Sequence, residues 1–543
     1  MPPTKLHEVL DAAMLDPAVL EHLQDKNTPK NGLDEEQVRA MRMAMNDERP
    51  MVCIQGGPGT GKTLTLANLI LRLLKLKKKA LVVGATRNSV AVLREMIEEL
   101  VERRKKELKD WHPDAIVDLT KCENFDNPPP TQPKNIIEHA RVIFVQADSF
   151  QCLNTIAKCK EFAPRHCFID DASQVSKDLP WPDALHSVKL VLAGNPCGLP
   201  PRVPGQERQN PSESILAHVL SKQDHVSFVE FTRQYRCHPD IIDWSNRGFY
   251  NWRLVNGVSS DYGLRQKLDP YPVKGPSRRL YAPLVHIDNS LVTTSPERRE
   301  TYEQWTRMDS MAVSYYNEGE AKFVMLHYRD LVERSIKPET IAIVTPFFAQ
   351  IDLLKRKMAA LCEEDLAKFE NCKKSVIGTL SDVQCREFDV VIFSAVRSNP
   401  RMNFGPASDP LKLHVIMTRA KHQLVIVANG YMMANNHEMM IRNLFETIRR
   451  KQQRMHPELL HGEHLSYPDE VENNYSHNFK EFIEHSNDAV MVEWCHQFVR
   501  NSQNPVFRRA QNWTKVLRGE RKVTKEKMKQ LEKELEALRL QTE

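Results

Sequence analysis

The sequence predicts an α/β protein: two parallel-sheet blocks followed by a helical C-terminal extension. Three observations lead there. First, eight short apolar runs stand between turn residues: "MVCIQG" (51–56), "ALVVGA" (80–85), "RVIFVQA" (141–147), "HCFIDD" (166–171), "VKLVLAG" (188–194), "TIAIVTP" (340–346), "DVVIFSAV" (389–396) and "QLVIVAN" (423–429). Runs of this length read as strands buried on both faces. Second, stretches of helical spacing alternate with them, the order that yields parallel strands joined by crossover helices. Third, this pattern ends by about residue 448, beyond which the sequence is polar, His-rich and helical.

Taken from the N-terminus, "MPPTKLHEVLDAAML" lacks a basic region ahead of a continuous apolar core, so no secretory signal is expected. A helix is expected near 90–109, where Leu93, Met96, Ile97 and Leu100 recur at helical spacing above the charged run "ERRKKELK". That run reads as a solvated helix face. "NFDNPPPTQPKN" (124–135) reads as a surface insertion, and about 264–300 as a second irregular, proline-rich region. At the far end, Met528, Leu531, Leu535 and Leu538 mark one amphipathic helix, too short for a coiled coil.

Composition narrows the class. The chain has 543 residues, 41 % of them hydrophobic and 27 % charged, an ordinary globular balance with room for several domains. No run approaches the ~20 apolar residues that a bilayer crossing needs, so no membrane partner is expected. The 11 cysteines form no CxxC pair, and the set Cys152, Cys159, His166 and Cys167 fits no zinc-finger spacing. Free thiols in a reducing compartment follow, cytoplasm favoured over nucleus. Net charge is only +5, but residues 500–543 carry 12 Lys/Arg against 6 Glu, which suits a polyanion or a docked protein partner as well as a solvated face.

The strongest local signal is "GGPGTGKT" (Gly56, Gly57, Pro58, Gly59, Thr60, Gly61, Lys62, Thr63), between a strand and the helical run "LTLANLILRLLKLKKK". It is a phosphate-binding loop: backbone N–H groups and the helix N-terminus converge on phosphate oxygens, Lys62 reaches the β/γ-phosphates, and the Thr63 hydroxyl binds Mg2+. Such a loop needs a carboxylate at the end of another strand. "CFIDD" supplies Asp170 for the metal, with Asp171 beside the attacking water.

Later motifs narrow the choice. "FTRQYRCHP" (231–239), "IAIVTPFFAQIDLLK" (341–355), "GTLSDVQCREFDVVIFSAVRSN" (378–399) and "LHVIMTRAKHQLVIVAN" (413–429) stand in the order found in superfamily 1 helicases. Over about residues 32–430 the chain resembles their up-frameshift branch, with senataxin and the Armitage-type helicases. The resemblance implies two RecA-like lobes that sandwich ATP, with nucleic acid lying across both. It divides the chain into a helical segment (1–31), a first lobe (32–228, with an insertion at about 95–140), a second lobe (229–448) and a basic extension (449–543). By motif, Gln37 would read the adenine edge, Tyr235 would stack on the base and Glu387 would lie near the ribose. Arg236 and Arg419 would approach the γ-phosphate from the second lobe as arginine fingers, rigid forks suited to phosphoryl charge. Asn88, Ser89, Pro200, Thr345, Pro346 and Thr379 would contact the nucleic-acid backbone without reading sequence.

The chain departs from the family pattern at several of these positions. Asp171 stands in place of glutamate, Asn195 in place of an acid, Gly198 in place of a glutamine, Cys385 in place of glycine and His414 in place of asparagine. A lost base typically costs on the order of 10²–10⁴ in rate. The expectation is an ATP- and Mg2+-dependent helicase or translocase on single-stranded nucleic acid, more readily RNA. A nucleotide-gated RNA-binding scaffold with weak or absent hydrolysis, and a DNA helicase in repair, are the alternatives.

Overall fold

In a computed structural model, residues 4–23, 32–104, 115–120, 137–182, 185, 188–201, 213–261, 263, 276–292, 300–308, 313–399, 401–457 and 460 are described. Each of the eight predicted runs forms a strand, and they fall into two parallel sheets. The first has seven strands in the order Ile116–Asp118, Val142–Gln146, Ala80–Gly84, His166–Asp170, Lys189–Gly194, Met51–Gly56, Ser227–Phe231. The second has six, in the order Val376–Gly378, Ile341–Val344, Phe388–Ser394, Ala420–Ala428, Leu284–Asp288, Arg454–Met455.

Both sheets are buried on both faces, which is why their strands read as unbroken apolar runs. Successive side chains alternate between faces: Met51 and Cys53 join one core of the first lobe, Val52 and Ile54 the other. Val390 and Ile392 divide from Val391 and Phe393 in the same way across the second sheet. The crossover helices close each layer. Lys62–Lys75 buries nine of its residues, and Arg87–Arg103 buries Val90, Leu93, Ile97, Leu100 and Val101.

Several boundaries differ from expectation. The N-terminal segment is part of the first lobe: Thr4–Lys5 pairs with Pro180–Trp181, and Leu6, Val9 and Leu10 of the following helix enter the sheet core. The first sheet runs to Phe231, past the expected boundary at 228. The expected insertion at 95–140 contains structural parts of the lobe, the helix to Arg103 and the edge strand Ile116–Asp118. The 264–300 region holds an interior strand, Leu284–Asp288, because only its flanks are proline-rich. Arg454–Met455 extends the second sheet beyond 448. The insertion "NFDNPPPTQPKN" and residues 461–543, with the expected C-terminal helix, lie outside the described residues. All described cysteines are free.

Leu10 is fully buried in the first-lobe core. Leu10→Ala should therefore lower the unfolding free energy by about 2–5 kcal/mol, read from urea denaturation. A loss below ~0.5 kcal/mol would mean that the N-terminal helix is not part of the cooperative unit.

Candidate nucleotide-binding cleft

Parallel strands deliver their C-terminal ends to one rim; the first sheet turns that rim to the cleft, and the second sheet faces it with Glu387 and Arg419, which directly precede its strands Phe388–Ser394 and Ala420–Ala428. Met51–Gly56 runs into the phosphate loop there. Gly59 and Gly61 have φ of +70° and +83°, conformations that glycine adopts without strain. A Cβ at Gly59 would meet Arg236 Cβ at 2.5 Å, and one at Gly61 would strike the Gln37 amide. Gln37, buried, donates from Nε2 to Thr60 O (3.1 Å) and accepts from Asp34 N at Oε1 (3.2 Å). Its amide retains one further donor and one further acceptor site, the pattern of an adenine edge. Tyr235 donates its backbone N–H to Gly59 O (2.8 Å) and its hydroxyl to Asp34 (2.7 Å), leaving 40 % of the residue exposed.

Lys62 donates to the carbonyls of Gly56 and Gly57, 2.8 Å each. Burial pulls its pKa down to about 8, against the nearby Asp171 charge, and Arg236 lowers it further. Arg236 bonds Glu387 (Nε to Oε1, 2.7 Å) and Thr418 O (Nη1, 3.0 Å), and Glu387 also pairs with Lys421 at 3.2 Å. The Arg236 charge, helped by Lys421 and against burial, holds Glu387 down to about 2. Arg419 donates from Nε to Val415 O (2.9 Å); burial and then Arg236 hold its pKa below the guanidinium's ordinary value. Three desolvated cations thus face one cleft, the setting for a polyanionic substrate. Arg419 comes from the second lobe. Arg236 stands after the first sheet's last strand, beside Cys237 of the second-lobe core, packed on Gly59 and bonded to Thr418 and Glu387 of the second lobe.

Asp170, buried at the end of its strand, accepts from Asp171 N at 3.0 Å. Burial and then the neighbouring Asp171 charge push its pKa up to about 7. Asp170 lies close enough to Lys62 for their charges to interact, and Thr63 follows Lys62 in the first turn of the Lys62–Lys75 helix; a carboxylate and a hydroxyl are hard oxygen donors suited to Mg2+. The residues therefore fit the metal.

The nucleic-acid candidates divide. Asn88 is half-buried and donates to Ser381 O (3.0 Å) across the lobes; Pro200 is exposed and Pro346 half-buried. Ser89 is buried, its hydroxyl spent on Thr86 in the cap of Arg87–Arg103. Thr345 is wholly buried, and Thr379 Oγ1 is bound to Asp382 as a helix cap (2.9 Å). The Ser89 and Thr345 hydroxyls are therefore buried away from the cleft surface, whereas Thr379 is half-buried and its oxygen can still accept.

Residues 32–117 and 212–431 match two family models, each described as an AAA domain. The "Regulator of nonsense transcripts 1 homolog" of Drosophila melanogaster is 27 % identical over 435 residues, 74 % of this chain and 35 % of that protein. The "DNA polymerase alpha-associated DNA helicase A" of Saccharomyces cerevisiae is 26 % identical over 464 residues, 73 % of this chain and 65 % of that one. The chain therefore spans between about a third and two thirds of these relatives' lengths. Among solved structures, a DEAD-box helicase, Mss116 bound to ssRNA and UDP-BeF, covers 92 % of the chain at 9 % identity and a TM-score of 0.40, too low to argue from.

The chain belongs to the up-frameshift-like branch of the superfamily 1 helicases.

Against that helicase pattern, the departing residues meet one another in space. Asp171 Oδ2 accepts from Gln174 Nε2 (2.6 Å) and from Cys385 Sγ (3.5 Å), and Gln174 Oε1 accepts from Gln384 Nε2 (2.7 Å). Tyr250 donates to Asn195 Oδ1 (3.0 Å), and its oxygen lies 3.1 Å from His414 Nε2. Burial, then Arg419, pull His414 down to about 3, so it is neutral and its Nε2–H donates to Tyr250. A Cβ at Gly198 would come within 2.7 Å of Ser173 Oγ. Gln174, Gln384, Ser173 and Tyr250 were not marked by sequence; only the glutamine three residues after Asp171 offered a signal.

No helix among the described residues is long and apolar enough to cross a membrane.

Asp170 gives a pH test. Its folded pKa of about 7 exceeds the unfolded carboxylate value, so below ~4 both states are protonated and nothing is lost. As pH rises through ~4–7 the unfolded state releases the proton first, and stability falls to a plateau above 7. Asp170→Asn removes that penalty. It should raise the Tm of the nucleotide-free protein by at least about 2 °C at pH 7.5, and by nearly nothing at pH 4. A pH-independent change would contradict the burial of an ionisable Asp170.

Proposed function

We propose that the protein is an ATP-dependent helicase or translocase that acts on single-stranded nucleic acid, RNA favoured over DNA. Hydrolysis is coupled to closure of its two lobes. The observation that supports it most is the meeting of Lys62, Arg236 and Arg419 opposite Asp170 and Asp171, with contributions from both lobes and the segment between them. Lys62 and the loop amides hold the β/γ-phosphates of the substrate. Thr63 and Asp170 hold Mg2+, which when bound offsets phosphate charge. Asp171 orients the attacking water, and Arg236 and Arg419 meet the charge that develops on the transferred group. Arg236 must exchange part of its Glu387 pairing for that task, which ties the chemistry to lobe movement. Gln37 reads the base edge, Tyr235 stacks on its face and Glu387 lies toward the ribose.

Asn88, Pro200 and Pro346 line the rim where a strand would cross both lobes, gripped through its phosphates. RNA is favoured on the resemblance to the nonsense-transcript regulators. The yeast relative is named as a DNA helicase, so the DNA reading stands as the competing outcome. The basic residues 500–543 are offered as a further nucleic-acid or protein contact.

One observation favours the slower scaffold reading. Ser173 fills the space beside Gly198, so no side chain from that position can reach the phosphate.

Steady-state ATP hydrolysis with and without single-stranded RNA or DNA decides among these. Wild type should turn over faster with RNA than without it. Lys62→Ala should fall by at least about 10²-fold, the scale of a lost transition-state contact. Nucleotide binding with turnover no higher than Lys62→Ala would establish the scaffold instead, and stimulation by DNA alone the repair reading.

A further inference from the structure

We propose that Cys385 is a positioning residue for Asp171, and that its thiol, carried by the second lobe, sets which acid the hydrolytic position accepts. The inference rests on the hydrolysis reading above. Cys385 stands at φ +64° and Asp171 at +59°. Both are left-handed conformations that cost a residue with a side chain free energy and that glycine adopts freely. Glycine at 385 would be the less strained choice. What cysteine adds is the sulfur, 3.5 Å from Asp171 Oδ2. Burial and the Asp171 charge keep the thiol protonated, so it is the donor. Strain maintained at such a point is characteristic of functional sites.

The second donor to Oδ2 leads back to the same loop. Gln174 Nε2 lies 2.6 Å from that oxygen, and Gln174 is itself held by Gln384, the residue before Cys385. One donor is thus supplied by the second lobe and the other is braced by it. Asp171 therefore has its carboxylate oriented only while the lobes are together. The same geometry limits acid length. One further methylene moves the carboxylate by about 1.5 Å, and along the present direction that carries an oxygen into the sulfur. Glutamate at 171 fits in this orientation only when residue 385 is cut back.

The test measures kcat for ATP, nucleotide Kd and Tm in the full chain, with Lys62→Ala as the turnover control. Cys385→Ala and Cys385→Gly should lower kcat about five-fold, the scale of one hydrogen bond, with Kd within about two-fold. Cys385→Gly also relieves the backbone, so its loss of rate cannot come from misfolding if its Tm holds or rises. Cys385→Ser should retain most of the rate. Asp171→Glu alone should fall below wild type, and Asp171→Glu/Cys385→Gly should exceed Asp171→Glu by at least about ten-fold, a non-additive coupling. Unchanged kcat in the alanine and glycine variants, or strict additivity in the double variant, overturns the inference. So does a parallel fall of kcat, affinity and Tm, which would mark Cys385 as merely structural. A wild type no faster than Lys62→Ala overturns the hydrolysis reading and this inference with it. A turning-over wild type with an indifferent Cys385 overturns the inference alone.

Discussion

Three cations are desolvated at one buried cleft, where only Arg236 has a carboxylate partner among the described ion pairs, and the architecture follows from keeping them there. Lys62 rests on loop carbonyls, Arg419 donates to a backbone oxygen, and Arg236 shares Glu387 with Lys421. Bringing such groups out of water is costly, and attraction to an anion recovers that cost. Each cation needs a rigid mount. Lys62 takes the start of a buried helix, Arg419 the start of a buried strand, and Arg236 a backbone seated on Gly59. The two sheets make this possible because the first presents the C-terminal ends of its strands, and the second the N-terminal starts of Phe388–Ser394 and Ala420–Ala428, to the same space.

The acidic side of the cleft obeys the same constraint. Asp170 and Asp171 are adjacent, so one charge disfavours the other, and burial sharpens the effect. Under the proposed function Asp170 would find its balance in a divalent cation. Asp171 is instead held by neutral donors, Gln174 and Cys385. The two aspartates therefore have different environments and different tasks, although "CFIDD" shows them as equals.

Much of this was legible in the sequence, for identifiable reasons. Strands buried on both faces must be apolar throughout, so eight of them stand out. Ser227–Phe231 has one face partly exposed, and Ile116–Asp118 and Val376–Gly378 are three residues long; none carries a clear signal. Leu284–Asp288 is as apolar as the others, but prolines on both sides disguised it. The phosphate loop and the acids were legible because phosphate chemistry demands fixed residue types at fixed spacing. Ser89, Thr345 and Thr379 could not be separated by sequence from caps or buried groups, because a hydroxyl near a strand end serves equally well as either. The bond from Gln384 to Gln174 joins residues 210 apart in sequence, and no local pattern encodes it.

The departures at 195 and 414 bear on activity less than their positions suggest. Asn195, Tyr250 and His414 form one hydrogen-bonded row across the lobe interface, with Phe249 stacked on the imidazole at 4.5 Å. Every member is neutral: an amide, a phenol whose ionisation burial opposes, and a histidine held uncharged. An acid at 195 would introduce a charge into that row, with no cation bonded to its carboxylate oxygens among the contacts described. Once histidine occupies 414 and is kept neutral by burial, an amide at 195 is the residue that completes the row without penalty. The two substitutions therefore answer one packing constraint at the interface, not two separate losses from the phosphate chemistry. Only Gly198 removes a group from the phosphate side outright, and there the space has already closed over Ser173. The question of turnover is thereby reduced to Gly198 and to Asp171 with the neutral donors that hold it.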